Sequence, residues 1–223
     1  AFDAGDAPDS NLPGSDRYPT LIANDGAVHA IVADVHLGEA VDTDPNGQPD
    51  EQALGDDNDV GIGNFDDEDG VTLADRIGLG ETINVTINAS TVGFIDAFID
   101  FNLDDDWDDP GEKIFDSVQV AIGDNDLQFT VPGDATRGTS YARFRFSTRG
   151  GLGPAGTAPD GEVEDYAVEI VRNLSHDLPS GDGATDVTVR INGSNIEIID
   201  TISMTVLATL PITDTENVII NGA

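Results

Sequence analysis

Oxygen-bearing side chains fall at every second position through residues 100–108 of the run DFNLDDDWDDPGE (100–112), and a carboxylate closes it at Glu112. That is how a short loop wraps a hard cation. Ca²⁺ takes roughly six to eight oxygens at about 2.3–2.6 Å, and the EF-hand loop collects them from its positions 1, 3, 5, 7 and 9 and a bidentate Glu at 12. Here Asp100, Asn102, Asp104 and Asp108 fill positions 1, 3, 5 and 9, and Asp106 at position 7 offers its backbone carbonyl. Two departures matter. Asp105 stands where the EF-hand has glycine, and Glu112 comes one residue late, after Pro110-Gly111. The preceding residues, Phe94 to Asp100, read as a strand and not a helix. The spacing therefore predicts an EF-hand-like calcium loop fed by a β-strand.

The rest of the chain reads the same way. From Ile83 onward, strand-like runs recur at Ile83–Ala89, Phe94–Phe101, Lys113–Ile122, Leu127–Val131, Tyr141–Ser147 and Tyr166–Val171, with Gly, Pro, Asn or Asp at each junction. That is the pattern of an antiparallel sandwich. Within Tyr141–Phe146, alternation puts Ala142, Phe144 and Phe146 on one face and Tyr141, Arg143 and Arg145 on the other. Phe94–Phe101 is apolar on both sides apart from Asp96 and Asp100, as a central strand would be. Residues 1–80 are mostly loop-forming, with a short apolar segment near Val28 to Val32. The expected fold is all-β: an antiparallel, jelly-roll-like β-sandwich with long calcium-binding loops and a small C-terminal β segment.

The expected domains are 1–172, a linker over 173–183, and a small β module over 184–223. In that tail Val187, Val189 and Ile191 alternate, Asn192-Gly193 marks a hairpin, and strands resume at Ile196–Ile198, Ile202–Leu210 and Asn217–Ile220. Four strands are marginal for an independent core. The tail is accordingly read as excised from a longer protein, or as completed by strand pairing with a neighbour.

Charge narrows the partners. The chain carries 44 acidic and 9 basic residues, with Lys113 the only lysine, for a formal charge of −35. Such a surface repels phosphates and anionic lipid, so neither nucleic acid nor membrane insertion is expected. Self-repulsion also opposes folding unless cations neutralise part of it, and halophilic adaptation would select the same composition. There is no cysteine, which removes thiolate metal sites, disulfides and cysteine catalysis. A cysteine-free β protein outside the cell needs another staple, and calcium supplies one. No apolar run approaches a bilayer span, and the start at Ala1-Phe2-Asp3 reads as already processed or excised.

Other acidic runs extend the calcium reading to more than one ion. Asp56, Asp57 and Asp59, then Asp66, Asp67 and Asp69, bracket a Gly-rich turn. Asp160, Glu162 and Glu164 precede the Tyr166 strand; Glu162 and Glu164 share a face if extended, with Val163 pointing inward. Two such carboxylates need a cation between them, and Arg143 and Arg145 are the competing partners to a metal. Asp3, Asp6, Asp9 and the Asn24-Asp25-Gly26 run could add further oxygens. The three histidines are scattered without zinc spacing, His29 reads as structural, and neither a nucleophile elbow nor a phosphate loop is present. No catalysis is expected.

Several of these motifs occur together in one known family. DGEVEDY at 160–166 resembles the signature of the GEVED domain of bacterial surface and secreted proteins. GDAPD at 5–9, NDGA at 24–27 with His29, DDEDG at 66–70, IDFN at 99–102 running to Gly111-Glu112, and YARFR at 141–145 agree in order. The resemblance spans about residues 2–171. It implies a β-rich, calcium-binding module of large extracellular proteins without known catalysis. The tail more weakly resembles β segments that follow such modules in surface proteins of planctomycete type. The expected role is a non-catalytic structural or adhesive module of an extracellular surface protein or fibre. The alternative is a calcium-dependent carbohydrate-binding module, for which Trp107 and Tyr18 are the candidate platforms and surface glycans the partners.

Overall fold

The computed structural model describes residues 1–9, 17–44, 46–55, 68–178 and 187–221. Among these, all regular structure is β apart from two short 3-10 turns, Ile22–Asn24 and Ile212–Asp214. The chain forms two compact units, Ala1–Ile170 and Val171–Ala223.

The strands of the large unit are β1 (Phe2–Ala4), β2 (Val28–Ala30), β3 (Val71–Thr72), β4 (Arg76–Gly78), β5 (Thr82–Ala89), β6 (Gly93–Ile99), β7 (Lys113–Val120), β8 (Gly123–Thr130), β9 (Gly138–Ser147), β10 (Thr157–Ala158) and β11 (Glu162–Val171). They build a five-stranded sheet in the order β4-β11-β9-β6-β7, a three-stranded sheet β3-β5-β8, and a small sheet β1-β2-β10. The first two share one core. Ile95, Ala97, Phe144 and Phe146 of the larger sheet pack with Val85 and Ile87 of the smaller, all buried. This is the layering of a sandwich.

Alternation along β9 sends Ala142, Phe144 and Phe146 into that core, as the sequence predicts. In an ordinary two-layer sandwich the opposite face would be wetted. Here it is covered: Arg143 and Arg145 are 0% and 1% exposed. A second cluster, Tyr18, Phe98, Trp107 and Tyr141 with Ala7 and Ala53, lies beside them and draws on the loop-rich N-terminal residues. The central strands β6 and β9 of the five-stranded sheet are therefore buried on both faces, with a polar and aromatic layer on the second. The N-terminal residues can lie there because polar groups of the sheet, side chain and backbone, bond to theirs. Asp165 Oδ2 accepts from the amides of Asp6 and Ala7, both at 2.9 Å, and Asp3 Oδ2 from that of Val163 at 2.7 Å.

In the small unit, β13 (Val187–Asn192), β14 (Asn195–Asp200) and β15 (Val206–Pro211) form an antiparallel sheet. Asn192 pairs with Asn195 and Gly193 takes φ +62°, so the hairpin expected from Asn-Gly forms, with Gly193-Ser194 and not Asn192-Gly193 as its two-residue loop. Residues 173–177 correct the linker reading. They form β12 (Asn173–Asp177), paired in parallel with β16 (Asn217–Asn221). A partner 44 positions away orders this polar segment, with hydrogen bonds donated by the side-chain amides of Asn217 to Asn173 Oδ1 (3.0 Å) and of Asn221 to Asp177 Oδ1 (2.7 Å). No local periodicity announces such a pairing.

Candidate calcium loop and the buried ionic layer

The loop at 100–112 joins β6 to β7, the adjacent strands that its two end carboxylates tie together. Asp100 is fully buried where β6 ends and Glu112 is buried just before β7. Asp100 Oδ1 accepts from the amides of Leu103 (2.6 Å) and Asn102 (3.1 Å). Its Oδ2 accepts from the Tyr18 hydroxyl (2.6 Å) and the Asp105 amide (3.1 Å). Leu103 and Asp105 take φ +61° and +71°. Asp105 thus makes the left-handed turn in place of the usual glycine, a conformation that Asp tolerates better than most residues.

Glu112 Oε1 and Oε2 accept from the amides of Phe101 (3.0 Å) and Asp109 (3.2 Å), so its carboxylate closes the loop on itself. Burial pushes its carboxyl up to about 7; the charges of Asp100 and Asp104 add to this, and the two amides oppose it. In the middle of the loop, Asn102 Nδ2 donates to Asp104 Oδ2 at 3.0 Å and to Asp109 Oδ2 at 2.5 Å. Two carboxylates therefore converge on one electropositive group. Asp106 Oδ1 accepts from the Asp108 amide at 2.8 Å, and Asp108 is exposed.

Period-two spacing singles out Asp108, yet Asp109 is the residue that meets Asn102. The chain reverses through Pro110 and Gly111, the latter at φ +105°, and this turn is what brings Asp109 back. Among the described residues, no three His, Asp or Glu side chains stand together as a metal-binding group; the end carboxylates accept from the loop's own amides and from the Tyr18 hydroxyl. The donor set nevertheless suits a hard cation. It is all oxygen, backed by a carboxylate that burial and like charge hold in excess of its comfort.

The other predicted ligands are dispersed. Asp56, Asp57, Asp59, Asp66 and Asp67 lie outside the described residues. Asp69 accepts from the Glu39 amide at 3.0 and 3.2 Å. Asp160 is engaged by Thr148, through the amide (2.8 Å) and the hydroxyl (2.5 Å). Glu162 accepts from the Leu37 amide at 2.5 Å, and Glu164 from the Gly70 amide at 3.0 Å and the Tyr166 hydroxyl at 2.8 Å. Glu162 and Glu164 do share a face. It is the face of Phe146 and Phe144, opposite which they register, so Val163 points to the other side.

That register also corrects the expected arginine partners. Arg143 lies opposite Asp165 and holds it bidentately, with Nε–Oδ1 and Nη2–Oδ2 both at 2.7 Å. Its remaining donors reach the carbonyls of Pro19 (2.6 Å) and Pro154 (2.9 Å) and the Thr20 hydroxyl (3.0 Å). The guanidinium sits 4.6 Å over the Trp107 ring. Arg145 donates to the carbonyls of Gly153, Ala155 and Gly156 and to His29 Nε2 (3.0 Å). Burial, then the charge of Arg143, lowers the Arg145 guanidinium to about 9. Because arginine only donates, His29 Nε2 must accept, and Nδ1–H donates to the Asp160 carbonyl at 2.8 Å. Burial and the neighbouring guanidinium push the imidazole well below its usual range. His29 is a satisfied structural residue.

Lys113 also has a fixed role. It pairs with fully buried Asp96 at 2.8 Å and with exposed Asp116 at 2.6 Å. Trp107 and Tyr18, the candidate sugar platforms, are 3% and 2% exposed. Trp107 donates Nε1–H to the Tyr141 carbonyl at 3.0 Å, and its ring lies 4.4 Å from that of Tyr18. Neither ring is open to a glycan. Sequence reasoning missed Asp109, Asp165 and the contact of Tyr18 with Asp100; only the DGEVEDY run hinted at Asp165.

A family comparison agrees with the motifs quoted above at 99–112, 141–145 and 160–166, and does not extend to those before residue 94. Residues 94–169 match the family model of the GEVED domain. That stretch, about a third of the chain, is similar to the GEVED domain. The matched stretch runs from β6 through most of β11 and contains the whole 100–112 loop. No curated protein matches the chain. Among solved structures, the crystal structure of the E. coli chaperone DraB aligns at 10% identity and a TM-score of 0.27, over 64% of this chain and 84% of that one. At that score the likeness carries no argument. No helix among the described residues is long and apolar enough to cross a membrane.

Proposed function

We propose that the GEVED-like chain is a non-catalytic, calcium-stabilised structural or adhesive module of an extracellular bacterial surface protein or fibre. The observation that carries the proposal is the loop between β6 and β7. Its two end carboxylates are buried, and its middle gathers Asn102, Asp104 and Asp109 around one point. When bound, Ca²⁺ would supply the positive charge this loop lacks, held by Asp100, Asn102, Asp104, Asp109 or Asp108, and Glu112. Since such a site exists only in the folded chain, the ion stabilises by mass action. At 100 times its dissociation constant one ion adds about 2.7 kcal/mol, or roughly 5–11 °C for a domain of this size.

Thermal unfolding in Ca²⁺ and in EDTA tests this. The melting temperature should fall with chelator and recover with Ca²⁺ far better than with Mg²⁺, which resists dehydration. Monovalent salt at equal ionic strength is the control for halophilic screening. Identical melting curves in Ca²⁺ and EDTA refute the proposal.

A calcium-dependent carbohydrate module is the second reading. It is favoured by the outer face of β5 and β8, where the pairs Thr82–Thr130, Asn84–Gln128, Thr86–Asp126 and Asn88–Asp124 form rungs of 2.5–3.3 Å. Beside the last two rungs lies a depression of about 310 Å³. Glycan binding abolished by Asn88→Ala supports this reading; no binding on a glycan array removes it. Neighbouring subunits or domains are proposed to dock on the small unit by strand pairing, since Val189 and Ile191 of β13 and Val218 and Ile220 of β16 are exposed. A chain that stays monomeric in sedimentation at all concentrations argues against self-pairing.

A further inference from the structure

Resting on the calcium reading, one bond from outside the loop assigns a further role. We infer that Tyr18 is a positioning residue for the calcium loop, so that ion binding and docking of the N-terminal layer stabilise each other.

Among the described residues, three of the four donors to the Asp100 carboxylate are amides of the loop itself, from Asn102, Leu103 and Asp105. The fourth is the Tyr18 hydroxyl, 82 residues away in sequence. Each carboxylate oxygen has one short donor at 2.6 Å, Leu103 on Oδ1 and Tyr18 on Oδ2, and one long donor at 3.1 Å. Bonds to an ionised carboxylate are charge-assisted, and the shorter ones are the stronger. The short pair therefore fixes the carboxylate, and each oxygen can still turn a lone pair to the ion in place of its long donor.

Tyr18 is itself held rigidly. Its ring packs on Trp107 at 4.4 Å and on Tyr141 at 5.2 Å. Pro19 and Thr20, which follow it, are bonded by Arg143, and Asp9 accepts from the Thr20 and Leu21 amides. Trp107 belongs to the loop and Tyr18 to the N-terminal layer, so two contacts, one polar and one aromatic, join them. Outer-shell donors of this kind orient a ligand and are felt in metal affinity. Linkage makes the effect reciprocal: what tightens the loop on the ion tightens the layer on the loop.

The test uses the full chain, Ca²⁺ titrated by calorimetry, and Tb³⁺ emission sensitised through Trp107. Tyr18→Phe removes only the hydroxyl and should weaken Ca²⁺ binding by about 10-fold. Tyr141→Phe is the control. Its hydroxyl also ties the aromatic cluster to the N-terminal layer, at the Glu51 carbonyl 2.8 Å away, yet it is not among the donors to Asp100. Binding should stay within about twofold of wild type, well short of the outer-shell effect. In wild type, chelator should also speed trypsin cleavage after Arg17; in Tyr18→Phe that cleavage should be fast even in Ca²⁺. Unchanged or tighter Ca²⁺ binding in Tyr18→Phe overturns the inference alone, and an equal loss in Tyr141→Phe does so too by reducing the effect to general loosening. No Ca²⁺ binding by wild type refutes the calcium reading and this inference with it.

Discussion

Replacing Arg143 by methionine probes the layer that most distinguishes this domain from an ordinary sandwich. The substitution keeps much of the side-chain length over Trp107 but leaves the Asp165 carboxylate, fully buried, without its cation. Removing one partner of a buried pair costs about 3–5 kcal/mol. Asp165 keeps the amides of Asp6 and Ala7, which offsets part of the penalty, while the carbonyls of Pro19 and Pro154 lose a donor. The expected loss is therefore about 3–4 kcal/mol, toward the lower end for a broken pair, or roughly 6–16 °C in melting temperature for a unit of this size. Urea unfolding of Arg143→Met, Asp165→Asn and the double variant gives the coupling directly. It should reach about 2 kcal/mol or more, whereas Arg143→Met combined with Glu164→Gln should be additive within about 0.5 kcal/mol. A loss below about 1 kcal/mol for Arg143→Met, or stronger coupling to Glu164 than to Asp165, would refute this account of the ionic layer.

Two further outcomes concern pH. In EDTA, the Glu112 carboxyl is raised to about 7, so its stabilising contribution is complete below the ordinary carboxyl range and is lost as pH rises through 7. Wild type should lose stability relative to Glu112→Gln over that interval, and Ca²⁺, which requires the carboxylate, should reverse the trend; parallel pH profiles in EDTA would contradict it. His29 runs the other way. Its folded value is lowered, so its contribution is present above about 6.5 and is lost as pH falls below that value. His29→Gln, which can still accept from Arg145 and donate to the Asp160 carbonyl, should flatten the acid limb of a melting-temperature profile. An unchanged limb would remove His29 from the explanation.

Much of the fold is legible residue by residue because a strand writes its environment locally. Phe144 and Phe146 alternate with Arg143 and Arg145, and the structure keeps them on opposite faces of β9. Asn192-Gly193 marks a hairpin, and one forms there with Gly193 left-handed. Other features have no local sign. Alternation says that the two faces of β9 differ, but not that an Asp- and Gly-rich N-terminal segment will cover the polar one. The partner of Arg143 could be Glu162, Glu164 or Asp165 by proximity in sequence; the antiparallel register puts Asp165 opposite it and sends the two glutamates to the other face. β12 carries no period because its order comes from pairing with β16.

The 100–112 loop divides along the same line. Sequence alone determined that it is an oxygen-rich turn following a strand, because side-chain type and spacing are local properties. Tertiary structure decided that Asp109 and not Asp108 meets Asn102, because the Pro110-Gly111 reversal sets direction. It also decided that Tyr18 reaches Asp100 across 82 residues, because the second face of the sheet needed a cover and the arginines were there to hold one. Hydrogen bonds and ion pairs between distant segments depend on which faces meet, and that is fixed only when the layers close.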